Sequence, residues 1–269
     1  MSTNEKAPKI LIGGIVEKQE LNKLYKKIEN NKNHFDDYIV AYLDFLGFAE
    51  KMKEENSYES LQILKFLLNG IEKVAAQISK INETGLFESK IFSDNIILAL
   101  KIEQKNIDIQ IMSLINLISS IQLNALLYFG FLIRGGVTIG KLSIDSSIVW
   151  GTGLIDAYNI EDNLAIYPRI ILSPKIIETY KSCEQKRLNL YAFIKIDFDG
   201  LWFIDFLLAA PNLTLIPTIA EILNDITKLY INKSERVKQK INWVISHFNI
   251  YCNNFKERGD YEKYILPYI

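Results

Sequence analysis

Apolar and polar positions along this chain switch between two periods, and the switches mark its elements. Tyr38-Ile-Val-Ala-Tyr-Leu43 is a short apolar, β-branched run ending at Asp44, the pattern of a buried strand. After Gly47, the residues Leu61, Leu64, Leu68, Ile71 and Val74 recur at spacings of three and four, which predicts a helix. Phe87 to Phe92 and Ile96 to Leu100 are strand-like runs separated by Ser93-Asp94-Asn95, a turn composition. They predict a β-hairpin with Asp94 at its tip. Asp108 to Tyr128 reads as a long apolar helix, and Phe131 to Leu142 as a strand broken by Gly135-Gly136. Ile148 to Trp150 is another short strand, and a helix capped by Thr152 then runs to Asn163. Tyr167 to Leu172 predicts a strand, Pro174 opens the next helix, and a strand from Gly200 to Phe206 precedes two C-terminal helices at 215–232 and 234–257.

Strands alternate with helices except at the hairpin, which predicts an α/β protein with a mixed sheet. Neither a fixed-period repeat nor a Pro/Gly/Ser-rich linker divides the chain. Residues 1–36 are rich in Lys and Asn and read as an N-terminal extension. They lack the apolar stretch and small-residue cleavage site of a secretory signal. The apolar segment Ile111 to Ile133 is interrupted by Asn116, Gln122 and Asn124, so it reads as a buried helix running into a strand. Cys183 and Cys252 lie far apart, which fits a reducing compartment. The expectation is a soluble, cytoplasmic bacterial protein that does not bind membranes directly.

Composition narrows the chemistry. Lys and Arg number 31 against 32 Asp and Glu, so the chain has no bulk charge with which to hold nucleic acid. A hydrophobic content of 49% excludes a disordered chain. Two His, His34 and His247, cannot build a three-histidine zinc site, and two Cys cannot build a cysteine-rich cluster. Any metal here is held mainly by carboxylates, which suits hard ions such as magnesium or manganese.

Asp44 ends its strand and is followed at once by Phe45-Leu-Gly-Phe48, a turn that can aim backbone N–H groups at phosphate oxygens. If the hairpin packs beside that strand, Asp94 and Asp44 meet at one edge of the sheet. Paired carboxylates facing a triphosphate are what two-metal phosphoryl transfer requires. The structural alternative makes Asp44 a helix N-cap and Asp94 a turn aspartate. His247 lies among core-type residues and reads as structural, and Cys183 has no evident base beside it. Lys233-Ser-Glu-Arg-Val-Lys-Gln-Lys240 reads as a solvated basic face.

Four motifs occur in one order: Tyr42-Leu-Asp-Phe-Leu-Gly-Phe48, Lys90-Ile-Phe-Ser-Asp-Asn95, Ile133-Arg-Gly-Gly-Val137 and Val149-Trp-Gly-Thr-Gly-Leu154. Together they resemble the catalytic domain of class III nucleotidyl cyclases. Gly151-Thr-Gly-Leu-Ile-Asp-Ala-Tyr-Asn-Ile-Glu161, Tyr167-Pro-Arg-Ile170 and Asp197-Phe-Asp-Gly-Leu-Trp-Phe-Ile-Asp205 look closest to the pyrimidine cyclases of bacterial Pycsar anti-phage defence. The likeness covers residues 37–206, leaving 207–269 as a C-terminal helical extension packed on that domain.

The resemblance implies a ferredoxin-type mixed sheet flanked by helices, and a homodimer with its active sites between protomers. It implies two divalent ions, Mn2+ or Mg2+, held by Asp44, Asp94 and the Phe45 carbonyl. Gly47 and Phe48 take the phosphate-binding turn. Lys90, four residues before Asp94, takes the family's base-contacting position, against the alternative of a solvated strand residue. A lysine only donates, which suits a pyrimidine carbonyl.

The chain also departs from the pattern. Purine cyclases place an acidic or polar residue two positions before the Trp, where this chain has Ile148. They place an Asn and a transition-state Arg on the following helix, where it has Ile155 and Asn159. Arg134 and Arg169 are the replacements available, since either presents a planar fork to phosphate. Arg134 reads better as a structural pairing residue, which leaves Arg169 as the catalytic candidate and Arg134 and Asn159 as substrate-binding positions. The implied reaction converts UTP to 3′,5′-cyclic UMP and pyrophosphate, with CTP as the alternative substrate and a separate effector protein reading the product. Competing readings are a diguanylate cyclase or polymerase-type transferase, whose Gly-Gly-Asp/Glu-Glu-Phe signature is absent, and a non-catalytic nucleotide-binding dimerisation module.

Overall fold

The computed structural model describes residues 35–48, 87–145, 148–184, 186–209, 213–255 and 259–269, with isolated positions between 58 and 73. The N-terminal extension, including His34, and the helix predicted after Gly47 lie almost wholly outside the described residues. Of that helix's five spaced positions only Ile71 is described, and it is helical and buried.

Strand β1 (Asp36–Leu46) can lie in the interior of the sheet because it is apolar on both faces. Ile39, Ala41, Leu43 and Phe45 join the core beneath helix α1 (Ile107–Phe129), while Tyr38 and Val40 join a second cluster with Ala157 on the opposite face. β1 lies between β3 (Asn95–Lys101) and β4 (Leu132–Ile144), antiparallel to both, and β2 (Phe87–Phe92) pairs outside β3. The order β2-β3-β1-β4, with α1 carrying the chain from β3 to β4, is the expected ferredoxin-type arrangement. β6 (Ile170–Leu172) then pairs parallel to β4, and β8 (Trp202–Ile204) and β7 (Ile194–Ile196) extend the sheet antiparallel. The fold is α/β with a mixed sheet flanked by helices, as the alternation of elements predicts.

The hairpin forms where its turn composition places it, with Ser93 and Asp94 as the two turn residues and Ser93 at φ 56°. β4, by contrast, is not broken at Gly135-Gly136. It runs unbroken through both, because neighbouring groups come too close for any side chain there. A Cβ on Gly135 would meet the Tyr42 carbonyl oxygen at 2.5 Å, and one on Gly136 would meet the Ala157 carbonyl oxygen at 2.4 Å. These glycines admit close approach and do not end the strand.

Helix α2 (Thr152–Leu164) follows the short β5 (Val149–Trp150), which pairs with the far end of β4. Gly151, not Thr152, holds the cap position, and no side chain caps the helix. The strand predicted from Tyr167 shortens to β6, since only Gly135–Val137 of β4 pair with it. α3 (Pro174–Ser182) starts at its proline as expected.

The C-terminal helices α4 (Ile216–Tyr230) and α5 (Glu235–Asn254) share a core with Leu123 and Leu126 of α1 and Leu132 of β4. Ile219, Leu223 and Ile226 of α4 recur at helical spacing in that core, as do Ile241, Ile245 and Phe248 of α5. On α5, Asn242 and Asn249 each accept an N–H from and donate to the extended backbone at Ile269 and Leu266, tying that segment along the helix. One helix among the described residues, Gln104–Phe129, is long and apolar enough to cross a membrane, and 67% of its apolar window is buried inside the fold.

Candidate active site

The antiparallel register brings Asp44 and Asp94 together. Asp44 stands opposite Asn95 of β3 and Arg134 of β4, and the Phe45 N–H donates to the Asp94 carbonyl at 3.1 Å. In such a ladder the N–H and C=O of one residue point to the same neighbouring strand, so the Phe45 carbonyl also faces the hairpin. The Asp94 carboxylate accepts a hydrogen bond from Asn95 Nδ2 at 3.2 Å. Among the described residues no group of three or more His, Cys, Asp or Glu side chains converges; Asp44, Asp94 and the Phe45 carbonyl offer oxygen donors only. An all-oxygen set of this kind fits a hard divalent ion.

Arg134 orients Asp44. Its Nε donates to Asp44 Oδ2 at 2.9 Å, and its Nη2 lies 2.7 Å from Glu161 Oε1 of α2. The guanidinium is thus held between two carboxylates, the structural pairing role read from the sequence. Asp44 gives one oxygen to this pair, which leaves acceptor sites on the carboxylate. Burial pushes the Glu161 carboxyl up to about 7, with Arg134 opposing and Asp44 adding to the shift. Burial, then Glu161 and Asp44, push the Tyr42 phenol up to about 12. Tyr42 packs edge-on against Tyr158 of α2, centroids 5.4 Å apart.

Glu161 received no role from the sequence, although its position carried a signal. Gly153, Ala157 and Glu161 recur at intervals of four and are the buried positions of α2, so a carboxylate ends a stripe of small residues packed on the sheet. Asn159, on the same helix, is exposed and does not join Glu161 at Arg134. Lys90 is half-buried on β2 opposite Ile97, which in turn stands opposite Tyr42. Strand alternation therefore puts Lys90, Tyr42 and Asp44 on one face of the sheet.

Gly47 turns the chain at the end of β1 with φ +76°, a left-handed conformation that favours glycine. A Cβ there would also lie 3.1 Å from the Tyr230 hydroxyl. The side chains of Phe45 and Phe48 are not at the surface of this turn. Both are buried and pack with Phe131, which leaves only their backbone groups to face a ligand.

Arg169 does not join the site. Its side chain is wholly buried, and its guanidinium donates to both Asp197 and Asp199. Tyr167, Phe198 and Trp243 surround it, each ring centroid within 6.0 Å of the guanidinium carbon. Trp243 Nε1 donates to the same Asp197 carboxylate at 2.8 Å. A guanidinium so committed, and closed to solvent, cannot reach a phosphate in the cleft, although its Nε has no hydrogen-bond partner among the described residues. The expected replacement arginine is a structural knot between the loop after β7 and α5.

His247 is structural as expected: buried on α5, it lies 2.9 Å from Asp205, which also pairs with Lys195 at 2.5 Å. Lys240 departs from the solvated basic face expected of its segment. It is half-buried, and among the described residues it feels Arg134, Asp44 and Glu161.

No family model matches the chain, and its sequence matches no curated protein. Solved structures similar to it include the adenylyl cyclase CyaB from P. aeruginosa, at 14% identity and a TM-score of 0.45, covering 64% of this chain and 94% of that one. The guanylyl cyclase domain of the RhoGC fusion protein from the aquatic fungus Blastocladiella emersonii is 11% identical with a TM-score of 0.47, covering 63% of this chain and 95% of that one. A bacterial light-regulated adenylyl cyclase is 14% identical with a TM-score of 0.36, covering 76% and 68%.

Proposed function

We propose that this chain is a class III-type nucleotidyl cyclase acting on a pyrimidine nucleoside triphosphate, with UTP preferred and CTP the alternative. The product is a 3′,5′-cyclic nucleotide that serves as a second messenger in anti-phage defence and is read by a separate effector. The observation that carries the reading is the meeting of Asp44 and Asp94 at neighbouring strand ends, beside the Phe45 carbonyl and the Gly47 turn. In the reaction the ribose 3′-oxygen bonds to the α-phosphorus as the bond to the bridging oxygen breaks, and pyrophosphate leaves. Nucleophile and electrophile belong to one molecule, so the protein's work is positioning and charge stabilisation.

Asp44, Asp94 and the Phe45 carbonyl would hold Mn2+ or Mg2+, which supplies positive charge to the phosphates and acidity to the attacking hydroxyl. Arg134 fixes the Asp44 carboxylate, and Glu161 fixes Arg134. The backbone N–H groups of Gly47 and Phe48 are the phosphate-facing donors of the turn. Lys90, on the Asp44 face, donates to a pyrimidine carbonyl, and Ile148 leaves no acidic reader for a purine. Homodimerisation is supported by exposed apolar residues at and just before β5 and on α2, namely Ile148, Trp150, Ile155 and Tyr158.

The commitments of Arg134 and Arg169 to other carboxylates favour a second reading, a nucleotide-binding dimerisation module without turnover. Incubating the pure protein with each of ATP, GTP, CTP and UTP in manganese, with products identified by mass spectrometry, separates them. Cyclic UMP or cyclic CMP is expected, and Asp44→Ala or Asp94→Ala abolishes it. Cyclic AMP as the main product would overturn the pyrimidine reading. No pyrophosphate from any of the four would leave the inert module.

A further inference from the structure

Gly47 and Lys240 line the same cavity, about 210 Å³ in volume, between the end of β1, the start of β4 and helices α4 and α5. Leu46, Leu132, Ile226 and Ile241 give it apolar walls, and among the described residues Lys240 is the one charged residue lining it. Lys240 is half-buried, and among the described residues its ammonium has no hydrogen bond or ion pair. Arg134 and Arg236 repel it, while Asp44 and Glu161 attract it, so it lies within charge reach of the Asp44 centre. A half-buried ammonium without a partner is unfavourable until an anion joins it, and apolar walls weaken the screening between the two.

The two arginines that could have served the phosphates are already paired. Arg134 is held between Asp44 and Glu161, and Arg169 between Asp197 and Asp199. We infer that Lys240 is the cation that meets the substrate's triphosphate beside the Gly47 turn, supplied by the C-terminal helix α5 in place of the arginine that α2 lacks. This inference rests on the cyclase reading for the identity of the anion, but not for the existence of the anion site. It gives the C-terminal helices a part in substrate binding as well as in packing.

The probe is magnesium tripolyphosphate, titrated into the full chain by calorimetry and followed in parallel by UTP and CTP turnover. Lys240→Met keeps the apolar stem and removes the charge. It is expected to weaken tripolyphosphate binding and lower kcat/KM by about tenfold or more, the loss of one charge-assisted contact. Lys240→Arg should recover most of both, and binding of uridine, which has no phosphate, should be unchanged. Lys238→Met serves as the control, because Lys238 pairs with Glu235 outside the cavity. Lys240→Gln, with its own melting curve, guards against a folding defect in the Met variant. A Lys240→Met protein that binds tripolyphosphate and turns over within about twofold of the parent overturns the inference and spares the cyclase reading, as would a parent that binds no tripolyphosphate while still cyclising UTP. If no triphosphate is cyclised but tripolyphosphate binds through Lys240, the cyclase reading fails and the anion site stands.

Discussion

Replacing Arg169 by Met tests whether this residue belongs to the fold or to the chemistry. The side chain is 0% exposed, and its guanidinium neutralises Asp197 and Asp199, whose side chains are 14% and 30% exposed. Removing one partner of a buried charge cluster costs about 3–5 kcal/mol, because the remaining charges are left without compensation. Both aspartates keep some access to water and Asp197 keeps its bond from Trp243, which places the loss at the lower end, about 3 kcal/mol. For a chain of this size, each kcal/mol shifts the melting temperature by about 2–4 °C, so a drop of roughly 6–12 °C is expected. Calorimetric melting gives this number directly, with turnover measured well below the transition. The cause can be checked separately: adding Asp197→Asn and Asp199→Asn to Arg169→Met should recover much of the stability, since no orphan charge then remains. Arg169→Lys should recover less than the native residue, because one ammonium cannot bond two carboxylates in the planar geometry of a guanidinium. An Arg169→Met protein that melts with the parent but makes no cyclic nucleotide would refute the structural role and return Arg169 to the active site.

Three further perturbations probe the same region. The Glu161 carboxyl is raised from 4.5 to about 7, so between those values the folded state holds its proton more tightly than the unfolded chain, and stability falls as pH rises through that window. Glu161→Gln, which cannot ionise, should remove this slope in metal-free protein and be the more stable form at about pH 8; urea midpoints that differ equally at about pH 5 and pH 8 would refute it. Gly136→Ala sets a Cβ 2.4 Å from the Ala157 carbonyl oxygen and 2.6 Å from Ile160 Cβ, so it should destabilise the fold by about 1–3 kcal/mol in urea unfolding, as α2 is pushed off the sheet. Gly47→Ala must adopt φ +76°, costing about 1–2 kcal/mol by calorimetry, and should also reduce turnover by shifting the turn after β1.

The part of the site legible in the sequence was the part built from local pattern. Asp44 could be placed at a strand end because an apolar, β-branched run stops there, and Asp94 at a hairpin tip because turn residues separate two apolar runs. The antiparallel register is settled by packing, because β1 is apolar on both faces and a one-residue slip would exchange the side chains that face α1 with those that face α2. What misled was glycine. Gly135-Gly136 reads as a break in any single-sequence pattern, yet the two serve close approach by Tyr42 and α2, which only packing reveals.

The individual strands, the hairpin and the placing of each aspartate at a strand end or turn are matters of period and turn chemistry, and the chain determines them by itself over a few residues at a time. Which cation serves which carboxylate is not local. Arg134 and Asp44 are 90 residues apart, and Arg169 is 28 and 30 residues from its aspartates. Arg134 and Arg169 are alike as sequence, each a planar fork beside an apolar, β-branched run. Tertiary structure separates them, because one stands opposite Asp44 in the β1–β4 register and the other is enclosed by α5 and the loop after β7. The same packing takes Lys240 out of a basic run and sets it beside a cavity at the Gly47 turn. A charge's role depends on what is within a few ångströms of it and on how much water remains there, and only the folded chain fixes both.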